Sequence, residues 1–290
     1  MNDYLLAAIL GVIEGLTEFL PVSSTAHLRI FQAWAGVSLS DGYWKMFSIV
    51  IQAGAILSLP IYFRRTLAEF LKHFPKGPRG DRTLLTHPLS LLLVAFVCTA
   101  GPTLLLTKMI GANLESLAVM AGALLIGGVV MWVVDAFCSA AGRPHRTERL
   151  DEMSLSQAVW IGLCQALSAI FPGTSRSMAT IAAGQLAGMS RPVALEFSFL
   201  LSIPTMIAAT GFDLLQSLRP SPAGNPLGAV VLDLRGLLLL LIGGLVSFVV
   251  AYLSVAWFMR WVRNHGFVLF AIYRILAGAL LLLFGPRLTP

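Results

Sequence analysis

The sequence predicts an all-α integral membrane protein that forms one polytopic domain over residues 1–290. Its residues are 57% hydrophobic and only 12% charged, far from the composition of a soluble domain. Apolar runs recur from end to end, and no hydrophilic block is long enough to form a separate soluble domain. Several runs reach the roughly 20 residues that a helix needs to cross a bilayer. We therefore expect about six transmembrane helices plus two re-entrant broken-helix hairpins.

Charge and cysteine usage exclude other classes. The net charge of +6 could indicate a nucleic-acid partner, but the basic residues concentrate in short loops between apolar runs. Membrane topology explains them better, so no nucleic acid is expected. Cys98, Cys138 and Cys164 lack CxxC or Cys/His spacing and predict neither disulfides nor zinc. The first apolar stretch lacks a basic start and contains Glu14 and Glu18, so we expect it to be retained rather than cleaved as a signal peptide.

Spans and breaks follow from the apolar runs. The predicted spans cover residues 43–63, 84–107, 115–138, 191–213, 234–258 and 267–286. Two further apolar stretches, 4–35 and 156–188, are interrupted by a proline followed by hydroxyl residues, PVSST at 21–25 and PGTSR at 172–176. Proline stops a first half-helix and a hydroxyl side chain can cap a second one. Because such breaks survive at membrane depth only beside a polar cavity, these stretches predict paired half-helices at a functional site.

The two broken stretches resemble each other. At a fixed offset of 151 residues, Pro21 aligns with Pro172, Gly11 with Gly162 and Ser24 with Ser175. Chance similarity between two apolar helices is the alternative, but the matches include the helix break itself. An internal repeat is therefore predicted, with approximate halves 1–138 and 139–290.

Charge bias predicts the orientation. With both broken stretches re-entrant, one side collects Arg64, Arg65, Lys72, Lys76, Arg79, Arg82, Arg143, Arg146, Arg149, Arg191, Arg260 and Arg263. The other side has only Lys45, Lys108, Arg219, Arg235 and Arg287. The positive-inside rule makes the first side cytoplasmic and both termini external. The first broken stretch then enters from outside and the second from inside, so the repeats are inverted and their tips should meet near the midplane.

Two acids precede the first break. Glu14 and Glu18 are four residues apart and lie on one helix face, where like charges repel and burial disfavours ionisation. A divalent cation, a shared proton or basic groups such as His27 and Arg176 could compensate them. The alternative is a water-filled vestibule in which neither acid has a role, although intramembrane acids are costly.

Hydroxyl groups and basic residues follow both breaks. Ser23, Ser24 and Thr25 can converge with free backbone N–H groups on an anion, with His27 about one turn further on. Helix capping and simple packing of the histidine are the alternatives. Arg176 lies in the second break, where its guanidinium suits bidentate phosphate contacts, unless it pairs with Glu14 or Glu18. Possible nucleophiles, proton carriers and a phosphate clamp together indicate phosphoryl chemistry on a lipid.

Two other intramembrane charges, Glu196 and Arg274, share no motif, and we expect them to pair with each other.

The motifs EGLTEFLPVSSTAH (14–27) and PGTSRSMAT (172–180) resemble those of the bacterial undecaprenyl-diphosphate phosphatase family of the bacitracin-resistance type. The resemblance extends to DEMSLSQA at 151–158, EFSFLLSIP at 196–204 and FAIYR at 270–274. It implies hydrolysis of undecaprenyl diphosphate to undecaprenyl phosphate and inorganic phosphate, which recycles the lipid carrier for cell-wall polymers. An inverted-repeat transporter or flippase of a phosphate-bearing lipid is the alternative from another class.

The same resemblance implies site residues. Its catalytic core falls on Glu14, Glu18, Ser24, His27 and Arg176, and its substrate-binding set on Ser23, Thr25, Thr174, Ser175, Arg176 and Ser177. Ser24 is expected as nucleophile with His27 or Glu18 as base, and direct attack by water is the alternative. Mg²⁺ or Ca²⁺ on Glu14 and Glu18, a bacterial plasma-membrane location with the site facing outward, and a possible homodimer are also implied. Ala26 and Met178 depart from the family, which usually has glycine there, and Met178 adds bulk beside Arg176.

Overall fold

A computed structural model describes residues 2–37, 42–106, 116–138, 146–218 and 233–285. Lys108, Arg143, Arg219 and Arg287, used above for orientation, lie outside these ranges. The described ranges are mainly helical and contain no β-strand, which confirms the predicted fold class. Their helices are α1 (Asp3–Thr17), α2 (Ser24–Trp34), α3 (Gly42–Tyr62), α4 (Arg64–Lys72), α5 (Pro88–Leu105), α6 (Leu117–Cys138), α7 (Leu155–Ile170), α8 (Arg176–Leu186), α9 (Arg191–Leu218), α10 (Leu234–Asn264) and α11 (Val268–Phe284).

Each predicted span contains a helix. Five of these helices, α3, α5, α6, α9 and α10, are long and apolar enough to cross a membrane. The sixth, α11, has 17 residues and is a shorter apolar helix. The span predicted from residue 84 begins at Pro88, because the His87 ring caps α5 by accepting a hydrogen bond from Leu89 N (3.3 Å). Proline at the first helical position needs no N–H partner, which favours that start.

Both predicted breaks are present. α1 ends at Thr17 and α2 begins at Ser24, whereas α7 ends at Ile170 and α8 begins at Arg176. The residues before the second half-helices, Ser23 (φ 74°) and Ser175 (φ 69°), are the two non-glycine residues with positive φ in the described ranges. A left-handed backbone at a non-glycine residue is strained and clusters at functional sites. The tertiary contacts around the breaks must therefore hold these two serines in place.

Each broken stretch returns to the side from which it enters. In the first, α2 residues Leu28 and Phe31 pack in the same cluster as Leu6 and Leu10 of α1. In the second, the Gln157 side chain near the start of α7 donates to the Ala187 carbonyl at the end of α8 (2.9 Å). Both stretches are therefore hairpins.

The hairpins enter from opposite ends of the bundle. Asp3, at the start of α1, pairs with Arg235 at the start of α10 (2.6 Å). Gln185, near the end of α8, donates to Asp135, which also accepts from the backbone N–H of Phe267, just beyond the end of α10. Since α10 is one helix of 31 residues, the two entry points lie at its two ends. The predicted inverted arrangement is confirmed for the hairpins.

The repeat alignment changes at the break. Gly11 and Gly162, 151 residues apart, are both close-contact positions, because a Cβ there would collide with the carbonyls of Gly243 and Ala95 respectively. The second half-helices are instead 152 residues apart, since both have 11 residues and begin after Ser23 and Ser175.

The predicted equivalence of Ser24 with Ser175 is therefore wrong, and Ser24 corresponds to Arg176. Counted from the aligned proline to the residue that precedes the second half-helix, the second break has one residue more, because Pro172 lies three positions before Ser175 and Pro21 two positions before Ser23. It contains Gly173 at φ 93°, a conformation that glycine adopts without strain. The two N-termini thus place an alcohol and a guanidinium at equivalent positions.

Candidate active site

The tips of the two hairpins touch. The Ser177 hydroxyl, fully buried at the start of α8, donates to the Leu20 carbonyl in the first break (3.0 Å). Arg176 reaches from the second break to Glu18 of the first, with 3.4 Å between Nη2 and Oε1. The meeting of the two tips that the sequence predicted is confirmed, and a polar cluster forms where they meet.

Arg274 on α11 binds the backbone of both breaks. Its guanidinium donates to the carbonyls of Pro21 (3.2 Å), Gly173 (3.1 Å), Thr174 (2.9 Å) and Ala123 (3.0 Å). The side chain is fully buried. Helix breaks leave backbone carbonyls without intrahelical partners, and this arginine satisfies them in both hairpins at once.

The predicted pairing of Arg274 with Glu196 is wrong. Glu196 lines a separate cavity together with Arg65, Glu69 and Arg149. Arg274 instead fills the space beside Gly127, where a Cβ would collide with its guanidinium. Carbonyl groups, rather than a carboxylate, therefore balance the buried guanidinium.

Glu18 lies between an alcohol and a guanidinium. The Ser24 hydroxyl donates to Glu18 Oε2 at 2.5 Å, a short bond, and Glu18 Oε1 faces Arg176. Both Ser24 and Glu18 are buried, with exposed fractions of 9% and 8%. A carboxylate in direct hydrogen-bond contact with a hydroxyl can accept its proton, which is the geometry required of a general base and its nucleophile.

Arg176 is held by α9 as well as by Glu18. Its Nη1 donates to the Ser202 hydroxyl in a short contact and to the Ser198 carbonyl at 3.5 Å. The Ser198 hydroxyl in turn contacts the Thr180 hydroxyl at 2.6 Å. These α9 serines belong to the EFSFLLSIP segment, but sequence reasoning did not assign them to the site. They fix the direction in which the guanidinium points.

Glu14 is the second acid of the cluster. Its side chain is almost fully buried, and its Oε1 atom has no hydrogen-bond partner within the described residues. The described residues contain no group of three or more His, Cys, Asp or Glu side chains that could hold a metal ion. Two carboxylates with an orphaned buried oxygen nevertheless fit a hard cation such as Mg²⁺, which commonly shares one or two carboxylates with substrate phosphates.

Both ring nitrogens of His27 have partners other than Ser24 and Glu18. Its Nδ1 lies 2.7 Å from the Ser23 carbonyl, which can only accept, so Nδ1 carries the proton. Nε2 therefore accepts from the Tyr273 hydroxyl at 2.5 Å, and the two rings stack with centroids 5.6 Å apart. His27 thus supports the strained Ser23 and links α2 to α11. Sequence reasoning missed Tyr273, although it lies in the FAIYR segment.

The residues predicted to bind substrate beside Arg176 do not all lie in the polar cluster. Ser175 caps α8 by accepting from Met178 N (3.4 Å). Ser177 is buried against Leu20, and Thr25 is exposed on the first turn of α2. Thr174 contributes its carbonyl to Arg274. Of the predicted residues, Glu14, Glu18, Ser24 and Arg176 therefore form the compact cluster.

Comparison with known proteins gives a family for this arrangement. Residues 7–280 match the family model described as "Bacitracin resistance protein BacA". The chain belongs to this family. The match runs from α1 into α11, so membership covers both breaks and Arg274, and the resemblance that the motifs predicted is confirmed.

Family members with assigned names are similar over nearly the whole chain. A protein of Koribacter versatilis named undecaprenyl-diphosphatase is 63% identical over 279 residues, covering 96% of each chain. Proteins of the same name from Rhizobium leguminosarum bv. trifolii and Thermus thermophilus are 41% and 39% identical, each over 283 residues. The first covers 97% of this chain and 96% of its own, and the second covers 97% of both.

Proposed function

We propose that this protein is a membrane phosphatase that hydrolyses undecaprenyl diphosphate to undecaprenyl phosphate and inorganic phosphate. The hydrogen bond between Ser24 and Glu18, with Arg176 on the far side of the same carboxylate, carries the proposal. Family membership and the names of similar proteins support the substrate. The product, undecaprenyl phosphate, would be used again as the lipid carrier for cell-wall polymers.

Arg176 binds the terminal phosphate in this mechanism. In the structure its guanidinium faces Glu18 at 3.4 Å, longer than an optimal charged hydrogen bond, and the Ser202 hydroxyl orients it from the other side. An incoming phosphate competes with Glu18 for the guanidinium. The ion pair that the sequence left as an alternative is thus the resting arrangement, and phosphate binding frees Glu18 to act as a base.

Ser24 and Glu18 carry out the transfer. Glu18 accepts the Ser24 proton while the serine oxygen attacks the terminal phosphorus, and the bond from that phosphorus to the bridging oxygen breaks, releasing undecaprenyl phosphate. Glu18 passes that proton to the departing undecaprenyl phosphate and becomes a carboxylate again. A water molecule then attacks the phosphoserine and gives a proton to Glu18, which transfers it to the Ser24 oxygen as inorganic phosphate leaves. Arg176 stabilises negative charge on the phosphoryl oxygens in both steps.

A divalent cation, when bound, would be held by Glu14 and Glu18 and would neutralise charge on the phosphate oxygens. Glu14, whose buried Oε1 lacks a partner, is the residue with a free ligand atom for it. We also propose that the site faces the outer surface of the bacterial plasma membrane. The cytoplasmic assignment of the basic loops supports this orientation.

Phosphate release from purified protein tests the function. We expect wild type to release phosphate from undecaprenyl diphosphate, a chelator to reduce the rate, and Arg176→Ala to lower kcat/KM by about 10³-fold because a transition-state charge loses its partner. Arg235→Ala, which removes an arginine from an exposed ion pair, is the matched control and should retain wild-type activity. Lipid movement across proteoliposomes without any phosphate release would support the transporter instead.

The choice of base gives a second expectation. Glu18→Gln should lower kcat by about 10³-fold, since the amide cannot take the Ser24 proton, while the protein stays folded. His27→Gln should cost far less, because His27 contacts the Ser23 carbonyl and Tyr273 rather than the nucleophile. Steady-state kinetics of both variants in one detergent provide the measurement. A larger loss for His27→Gln than for Glu18→Gln would reverse the assignment.

A further inference from the structure

A groove with a volume of about 550 Å³ lies between α6 and the second hairpin. Apart from Thr174 and Cys164, its lining residues are apolar. Small residues of α6 and α8 form much of its wall, namely Gly122, Ala123, Gly127, Ala179, Ala182 and Ala183. None of the residues in the Ser24–Glu18–Arg176 cluster lines it.

The small residues leave space instead of bringing the helices together. A Cβ added to Gly122 would meet no atom within 4 Å. Close helix packing, the usual role of small residues in membranes, would place a neighbour there. At Gly127, by contrast, Arg274 and the end of the Met178 side chain fill the space. The groove is therefore open along its outer part and closed at its floor.

The groove opens laterally towards lipid. Large apolar side chains on its rim are half or more exposed, including Ile126 (68%), Phe171 (51%) and Leu186 (52%). In a chain that crosses the bilayer, such side chains face hydrocarbon. An apolar chain can thus enter the groove from the side, without passing through water.

The groove follows the same half-helix that carries Arg176. Thr174 lies directly before the cap of α8, and Ala179, Ala182 and Leu186 continue along the helix at intervals of three and four residues. A diphosphate held at the first turn of α8 would therefore have one end of the groove beside it. The Arg176 side chain leaves the helix on the face towards α9, so the head and the chain of a lipid would use different faces of α8.

We propose that this groove binds the polyprenyl chain of the substrate, an assignment that rests on the proposed phosphatase function. A phospholipid keeps its headgroup at the bilayer surface. The one hydroxyl residue among the described lining residues, Thr174, instead lies at the break between the half-helices. A lipid whose charged head is drawn down to the hairpin tips fits this arrangement better than an ordinary acyl chain does.

Filling the groove tests the assignment. Gly122→Phe places a ring in the open space without a backbone clash. We expect kcat/KM for undecaprenyl diphosphate to fall by about tenfold, the scale of one mismatched methylene or more in an apolar pocket. The value for geranyl diphosphate, whose two isoprene units are too short to fill the groove, should change by less than about twofold on the same scale.

Gly101→Phe is the matched control. Gly101 is an exposed glycine of α5, its added Cβ would also meet nothing within 4 Å, and it lies outside the groove. Gly101→Phe should leave kcat/KM unchanged for both undecaprenyl diphosphate and geranyl diphosphate. An unchanged preference for the long chain in Gly122→Phe, or an equal loss with both substrates, would overturn the groove assignment. Failure of wild type to hydrolyse either substrate would instead reject the phosphatase function.

A second measurement does not depend on the folding of a variant. A long-chain prenyl diphosphate carrying a diazirine on its third isoprene unit should label peptides from α6 and α8 of the wild-type protein, and excess undecaprenyl diphosphate should suppress the labelling. Labelling confined to other helices would contradict the proposal. So would labelling of this groove by a photoreactive phospholipid that excess substrate does not displace.

Discussion

Ser24→Ala should lower kcat by at least about 10⁴-fold, because removing a serine nucleophile abolishes the covalent route and leaves only slow attack by water. The folded protein should persist. The substitution removes one hydrogen bond, the 2.5 Å contact with Glu18, worth about 1 kcal/mol. Phosphate release and thermal unfolding of the same preparation provide the measurement.

The control is another serine on a helix. Ser156→Ala removes an exposed hydroxyl at the start of α7, away from both breaks, and should leave activity at the wild-type level. Brief reaction with substrate labelled in the terminal phosphate should also leave label on wild-type protein and none on Ser24→Ala. Near-normal turnover by Ser24→Ala would eliminate the phosphoserine intermediate and leave direct attack by water, activated by Glu18, as the mechanism.

The two helix breaks could be predicted because their causes are local. A proline within an apolar run stops a helix, and the hydroxyl residues that follow can cap another one. Residues 21–25 and 172–176 therefore predicted both breaks. Their opposite entry followed from the number of spans between them. The extra residue between the second proline and its second half-helix could not be predicted in the same way, because a fixed offset of 151 residues fits the first half-helices and the prolines equally well.

The role of Arg274 could not be predicted from side-chain patterns. It bonds to four backbone carbonyls, and a carbonyl acceptor has no sequence signature, since every residue carries one. Pairing it with the other intramembrane charge, Glu196, was the natural expectation. It failed because the broken half-helices supply unpaired carbonyls that balance a guanidinium without any carboxylate.

The hydrogen-bond partners of His27 also could not be predicted from the sequence. Its spacing from Ser24 predicted a shared ligand, and one helical turn does bring the two residues near each other along α2. Its ring nitrogens are instead occupied by Ser23 and by Tyr273, which is 246 residues away in the chain. The position of α11 beside the first hairpin brings Tyr273 to His27 and so determines which partner Nε2 has.

Removal of the buried Asp135 carboxylate, near the C-terminal end of α6, is expected to have the largest effect on stability. It accepts hydrogen bonds from Arg191 Nε (2.7 Å), Arg191 Nη2 (3.0 Å), Gln185 Nε2 (3.0 Å) and Phe267 N (2.9 Å). Asp135→Ala strands the guanidinium, the amide and the backbone N–H together. Removing one partner of a buried pair costs about 3–5 kcal/mol.

We expect Asp135→Ala to lower the Tm in detergent by about 10 °C, from roughly 2–4 °C per kcal/mol for a chain of this size. Asp3→Ala, which breaks the exposed pair with Arg235, should shift the Tm by less than about 2 °C. Gln185 lies near the end of the half-helix that begins at Arg176, and Phe267 lies directly before the helix that carries Arg274. Each is about two helical turns or more from the site arginine, so the loss of Asp135 should affect the site only through unfolding. Below its Tm, Asp135→Ala should therefore keep the wild-type KM. A raised KM at full folding would show instead that Asp135 sets the position of the two breaks.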